Sequence, residues 1–322
     1  MRFRRLAWSI LAVNLFVILW GALVRASGSG AGCGRHWPLC NGVVLPSSPG
    51  TATLIELTHR ITSGVALVLV AWLFGRSRRE FPAGHPVRRW AAWSLGFIAS
   101  EALVGAGLVL LALVGADASP ARAGYLAVHL LNTFLLLGAL ALTAQAAADS
   151  GPPPAGAAPR ALLVAGLGLL LVVGMSGAVT ALGDTLFPAR TLGEGLRADA
   201  SRTAHFLVRL RVLHPLIAAL TAGVLSGAVW RVARQRGEAG AAGRAVLALV
   251  LLQLALGVTN LVLLAPTALQ LLHLLAADLL WVATVVLAAA NWRGAPYRLP
   301  TIASANSLVR SSVAPSIRRW KS

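Results

Sequence analysis

Eight apolar runs, broken by short polar or basic segments, cover most of the chain at roughly 6–24, 55–75, 90–114, 123–147, 161–181, 205–231, 245–265 and 267–291. Each is close to the ~20 residues that an α-helix needs to cross a hydrocarbon core. The pattern predicts an all-α integral membrane protein with eight transmembrane helices. Between the runs, loop lengths repeat as long, basic, short in the first half and again in the second. Local sequence repeats as well: Gly21–Gly28 (G-A-L-V-R-A-S-G) stands opposite Gly177–Asp184 (G-A-V-T-A-L-G-D), and Glu101–Leu108 (E-A-L-V-G-A-G-L) opposite Gln253–Asn260 (Q-L-A-L-G-V-T-N). Because each half has an even number of spans, the copies share one orientation, and the expected architecture is two parallel-repeat four-helix bundles.

This reading divides the chain into an N-terminal four-helix half (1–147), a Pro/Ala-rich linker (148–160), a C-terminal half (161–292) and a basic tail (293–322). Composition agrees, with 57% hydrophobic residues and only 12% charged. The net charge of +18 would suggest nucleic acid if it formed a basic face interleaved with aromatics. The basic residues instead cluster between apolar runs, and 19 of the 28 Lys and Arg fall in the termini and alternate loops. The positive-inside rule then places both termini in the cytoplasm. The first run is too long for a signal-peptide core and has no small-residue cleavage site after it, so it is read as a retained span. The expected location is multi-pass in an inner or plasma cell membrane, with the loop carrying Cys33 and Cys40 on the outer side.

Four histidines recur in the even-numbered spans, His59, His129, His214 and His273, each two or three turns below the outer surface. A lone intramembrane histidine is more often a hydrogen-bonded packing residue, but four at one depth, two per half, change the odds. Paired imidazoles from facing helices are the axial ligand set of haem iron, and bundle interiors hold such sites. One haem site per half is expected. Arg60 and Arg211 lie near His59 and His214, where a guanidinium could meet a haem propionate or merely reach the headgroups. Glu56, three residues before His59, shares its helix face and is the candidate acid/base group or electrostatic stabiliser. The second half has Arg211 at the matching place, so the two sites differ chemically. Cys33 and Cys40 flank six residues that include His36. Zinc would lack a fourth nearby ligand; a disulfide there would be worth about 2.5 kcal/mol in the chain-entropy model, and a redox-active pair is a further alternative. Glu101 and Asp278 lie mid-span, where bonding to neighbouring helices would account for them.

The run from Gly21 through Cys33, Trp37-Pro38-Leu39-Cys40-Asn41-Gly42, followed by Glu56-Leu57-Thr58-His59-Arg60, resembles the haem A synthase family, as do the later histidines in H-L-L-N, R-V-L-H-P and L-L-H-L-L contexts. The resemblance covers about residues 6–292. It implies an oxidoreductase that converts the C8 methyl of haem O to the formyl group of haem A through a hydroxylated intermediate, for cytochrome oxidase assembly. It implies His59 and His129 as ligands of the substrate haem, His214 and His273 as ligands of a resident haem b cofactor, and Glu56 as the catalytic carboxylate. Cys33 and Cys40 match the family's outer-loop pair, expected as a disulfide. Some members carry a second pair after the fifth span; this chain has Gly183-Asp184-Thr185-Leu186-Phe187-Pro188 there, which argues against a mechanism needing thiols in both halves. Expected partners are haem O, membrane lipid, a haem O synthase, an electron acceptor and a second copy of the chain. No nucleic acid is expected. The alternative is a non-catalytic membrane b-type cytochrome or haem carrier using the same four histidines.

Overall fold

The computed structural model describes residues 2–148 and 157–292. The basic tail 293–322 and positions 149–156 of the expected linker lie outside the described residues. Among the described residues the regular elements are helices, joined by loops, one of which carries an isolated bridge between Cys40 and Val43. The helices are α1 (Phe3–Ala26), α2 (Thr51–Glu80), α3 (Pro86–Leu110), α4 (Pro120–Ala146), α5 (Ala157–Leu186), α6 (Leu192–Ala200), α7 (Phe206–Arg209), α8 (Leu213–Arg236), α9 (Gly240–Val262) and α10 (Thr267–Trp292). A short 3₁₀ turn, Leu210–Val212, joins α7 to α8, so these count as one span, and eight helical segments are long and apolar enough to cross a membrane. The protein is a multi-pass membrane protein.

Local chemistry sets most boundaries. Pro86 and Pro120 open α3 and α4, where a missing N–H costs nothing. Ser119 caps α4 by accepting from Arg122 N at 3.2 Å, and His85 caps α3 by accepting from Val87 N at 3.2 Å. The third span stops at Leu110, four residues short of its expected end. Ala112 turns left-handed (φ 57°) and Leu113 N donates to Leu108 O at 2.8 Å. At the matching place α9 ends the same way: Leu264 has φ 60° and Ala265 N donates to Asn260 O at 2.7 Å. Both are six-to-one closures of the Schellman type, formed without the usual glycine. The fifth span begins at Ala157, within the stretch assigned to the linker. Helix α6 was not expected. It is signalled by a Thr191-x-x-Glu194 capping box, in which Thr191 Oγ1 accepts from Glu194 N at 3.2 Å.

Contacts close a ring around the first four spans and another around the last four. Helix α1 lies against α2 and α4, with α3 between those two; α5 lies against α8 and α10, with α9 between those. The groups meet where α4 packs on α5 and α10, and α1 on α10. Helices α4 and α10 form the centre: 56% and 50% of their most apolar windows are buried, against 11–33% for the other spans. Phe134 and Trp281 stack there with centroids 5.3 Å apart, and Trp281 Nε1 donates to Phe134 O at 2.5 Å. Gly138 gives the indole room, a Cβ there lying 3.3 Å from Trp281 Nε1. Outward residues such as Val68, Leu103, Leu216 and Leu251 are 63–69% exposed, as lipid-facing positions require.

Candidate functional site

The four histidines converge in two pairs, one in each group of helices. In the C-terminal group, His214 of α8 faces His273 of α10 with ring centroids 6.3 Å apart and planes at 80°. Two imidazoles on opposite sides of one metal, each with a bond of about 2 Å and about 1 Å from nitrogen to ring centre, would stand roughly 6 Å apart. The observed pair fits that geometry. The small residues of α5 and α9 bring the rings against backbone: a Cβ on Gly177 would lie 3.0 Å from His214 Cε1, and one on Gly257 3.4 Å from His273 Cε1. Ser176 Oγ lies 3.0 Å from His214 Nδ1, and Gln253 Nε2 3.3 Å from His273 Nε2. His273 Nδ1 is buried without a partner among the described residues.

In the N-terminal group, His59 of α2 and His129 of α4 lie within electrostatic range of each other. His59 rests on Gly21 of α1, where a Cβ would come within 2.8 Å of Cε1. Its Nδ1 is buried with no hydrogen-bond partner among the described residues. A buried ring nitrogen without a partner is free to take a ligand, so His59 and His129 are the residues that would hold a haem in this half. Glu101 Oε1 lies 3.4 Å from His129 Nδ1, close enough for a charge contact though outside hydrogen-bond geometry.

Glu56 is buried, at 3% exposure, and both its oxygens are engaged. Oε1 accepts from Arg60 Nη2 at 2.5 Å and Nε at 3.2 Å, and Oε2 accepts from Cys33 N at 2.9 Å. Arg60 Nη1 also donates to the carbonyls of His36 and Leu39, both at 2.6 Å. Cys33 and Cys40 form a disulfide, so the thiols that the zinc alternative required are consumed. Gly32 sits so close to α2 that a Cβ would meet Ala52 C at 2.5 Å. The cysteine loop, Glu56 and Arg60 are thus one hydrogen-bonded unit seated on the first turns of α2.

Arg211 has Asp184 Oδ1 at 2.9 Å from Nε and Asp199 Oδ1 at 3.7 Å from Nη1, and its Nη2 donates to Phe187 O at 2.8 Å. Both arginines assigned to propionates therefore have protein partners, with which a propionate would share the guanidinium. Beyond the expected residues, Arg25 emerges as a bridge between the two groups. Its Nη1 donates to Ala181 O at 2.8 Å and Thr185 Oγ1 at 2.7 Å, and its Nη2 donates to Gln270 Oε1 at 2.9 Å, one turn before His273. Arg25 and Ala181 occupy the same position in the repeated G-A-L-V-R and G-A-V-T-A segments, a signal that could have marked the contact. Glu101 and Gln253 were likewise aligned in sequence, but only the packing of α3 on α4 and α9 on α10 shows that each reaches a histidine.

Comparison with known proteins bears on the same residues. A family model described as cytochrome oxidase assembly protein, COX15-CtaA, matches residues 4–52 and 48–285. A protein named protoheme IX farnesyltransferase from Thermus thermophilus is 49% identical over 288 residues, 88% of this chain and 47% of that protein. The chain thus spans about half the length of that relative. Heme A synthases from Staphylococcus saprophyticus and Bacillus cereus are 43% identical over 110 residues and 45% over 96, covering 33% and 30% of this chain and 36% and 31% of their own lengths. Since the family model covers nearly all of the eight spans that carry both histidine pairs, the chain belongs to the haem A synthase family, COX15-CtaA, of cytochrome oxidase assembly proteins.

Proposed function

We propose that the protein is a haem A synthase that oxidises the C8 methyl group of haem O, first to a hydroxymethyl and then to a formyl group. The N-terminal half (1–147) would bind the substrate haem between His59 and His129. The C-terminal half (161–292) would hold a haem b between His214 and His273, whose chemistry when bound is one-electron transfer. The disulfide loop would lie on the outer face of an inner or plasma membrane, with both termini in the cytoplasm.

The single observation that carries the reading is the asymmetry at the first turns of α2. Among the described residues, only the N-terminal pair has a carboxylate one turn from a histidine on the same helix, and that carboxylate is locked by Arg60 and by the Cys33 amide. Three donors hold the Glu56 carboxylate in one place, so it acts as a fixed electrostatic stabiliser of positive charge developing on the substrate, in preference to a mobile base. Arg60 holds it in register and, through the carbonyls of His36 and Leu39, keeps the loop seated on α2. Arg25 ties the two groups together between the histidine pairs.

The name of the Thermus relative, which is about twice as long as the matched segment, supports a haem O synthase as functional partner, because farnesyl transfer to protohaem would supply this substrate. An electron acceptor and a second copy of the chain complete the proposed partners. The test is to replace Glu56 with Gln, co-express with a haem O source and separate the extracted haems. Haem O should accumulate at the expense of haem A. An undiminished haem A yield would sink the role of Glu56, and an unaltered chain yielding only haem b or O would favour a non-catalytic cytochrome.

A further inference from the structure

The two histidine pairs differ in a second respect, away from Glu56. Glu101 Oε1 of α3 stands 3.4 Å from His129 Nδ1, whereas the amide of Gln253, its counterpart in α9, stands 3.3 Å from the other ring nitrogen of His273, Nε2. The difference extends to the groups that hold the side chain. Thr133 Oγ1 donates to Glu101 Oε1 at 2.5 Å and Asn132 Nδ2 donates to Glu101 Oε2. Asn132 is itself oriented: its Nδ2 donates to Phe97 O at 2.9 Å, and its Oδ1 accepts from Ser100 Oγ at 2.7 Å. In the second half the places of Ser100, Asn132 and Thr133 are taken by Leu252, Ala276 and Ala277. A carboxylate inside a membrane needs such donors. They are present only where the carboxylate is.

The glycine one turn further along each helix differs in the same sense. A Cβ on Gly257 would touch the His273 ring at 3.4 Å, while one on Gly105 meets nothing within 4 Å. His273 is therefore packed from α9 at two points one turn apart, by a neutral amide and by backbone. From α3 His129 is met by a carboxylate, and a Cβ on Gly105 would not reach its ring.

We propose that Glu101 is the positioning residue of the N-terminal site: held by Asn132 and Thr133, its carboxylate steers His129 by a charge contact at Nδ1 and makes it the stronger electron donor, while Gln253 brings only an uncharged amide to His273. A carboxylate on the outer nitrogen of a metal-bound imidazole raises ligand basicity, and removing such a partner costs about 10–100-fold in metal affinity. The N-terminal haem is then held with a lower reduction potential than it would have beside an amide. The two halves share a ligand set and differ in the charge behind it.

The inference rests on the ligation reading above, and the test separates the two. The full-length protein is purified with its haems, and each site is titrated electrochemically while its ferric spectrum is recorded by electron paramagnetic resonance. His129→Ala identifies the N-terminal signal; if haem content and both signals survive that change, the ligation reading falls and the inference with it. Glu101→Gln should raise the potential of the N-terminal haem, shift its spectrum and weaken haem retention there about tenfold, with the C-terminal signals unchanged as a control for folding. Glu101→Asp, which keeps the charge, should return the potential and spectrum most of the way to those of the unaltered protein. A Glu101→Gln protein with unchanged N-terminal potential and spectrum overturns the inference. So does equal loss of that haem in both variants, which would mean a packing role. In the converse direction, Gln253→Glu combined with Ala276→Asn and Ala277→Thr should lower the C-terminal potential, and an unmoved value would count against the charge effect.

Discussion

Replacing Gly21 with alanine puts one methyl group between α1 and the ring of His59. The added Cβ would lie 2.8 Å from Cε1, 3.1 Å from Nε2 and 3.6 Å from Nδ1, so the imidazole must move by several tenths of an ångström. Two effects oppose each other. Overpacking of a well-filled site costs about 1–3 kcal/mol, and exchanging glycine for alanine within a helix returns about 0.5–1 kcal/mol. Gly64 of α2 isolates the second effect, since a Cβ there meets nothing within 4 Å. The expected difference between Gly21→Ala and Gly64→Ala is therefore about 1–3 kcal/mol, and it should fall on one site. The assay is haem stoichiometry by pyridine haemochrome together with the temperature at which the Soret band is lost in detergent. Gly64→Ala should leave both haems in place. Gly21→Ala should release the N-terminal haem at lower temperature and spare the C-terminal one. If the two variants retain both haems alike, His59 is not seated on Gly21 as a ligand, and the close approach of α1 to α2 has some other purpose.

Two further outcomes follow from contacts described above. Cys33→Ser with Cys40→Ser should lower stability by about 2.5 kcal/mol in the chain-entropy model, and protease sensitivity between residues 33 and 50 should rise; an unchanged digestion pattern would show that the remaining bonds suffice to order the loop. Arg25→Gln removes a part-buried guanidinium with three acceptors in α5 and α10; it should destabilise by about 2–4 kcal/mol, given charge-assisted bonds of about 1.5–3 kcal/mol and partial compensation by the amide, and should disturb the His273 haem spectrum although Arg25 belongs to the other group of helices. Thermal unfolding and the C-terminal haem signal check this, and an undisturbed signal would refute the bridging role.

How much of this was legible in the chain depends on what kind of signal each feature needs. The eight spans are properties of composition over ~20 residues, and they stand out without any tertiary information. The histidines stand out because ionisable residues are rare in such runs. Helix α6 escapes a hydropathy reading because it is nine residues long and faces water on one side, although its Thr191–Glu194 box was there to be read. The ends of α3 and α9 escape because their left-handed caps fall on Ala112 and Leu264, where no glycine marks the turn. Glu101 was visible as a mid-span acid, but its meaning depends on the rotation of α3 against α4, which brings Asn132, Thr133 and His129 around one carboxylate. Arg60 and Arg211 were read by proximity to histidines; only the structure shows the carboxylates and carbonyls that each also meets.

The clamp of Arg60 on the cysteine loop has a consequence for the disulfide. Cys33 and Cys40 are joined covalently, yet the same ring is also held from below, at Cys33 N by Glu56 and at the carbonyls of His36 and Leu39 by Arg60. If the bond were reduced, those tethers would keep the two thiols neighbours. Their effective concentration toward each other would stay high, so re-formation of the bond by exchange with an external disulfide would be favoured over capture of either sulfur by a second partner. A loop built this way can be opened and closed repeatedly without losing its place above the site.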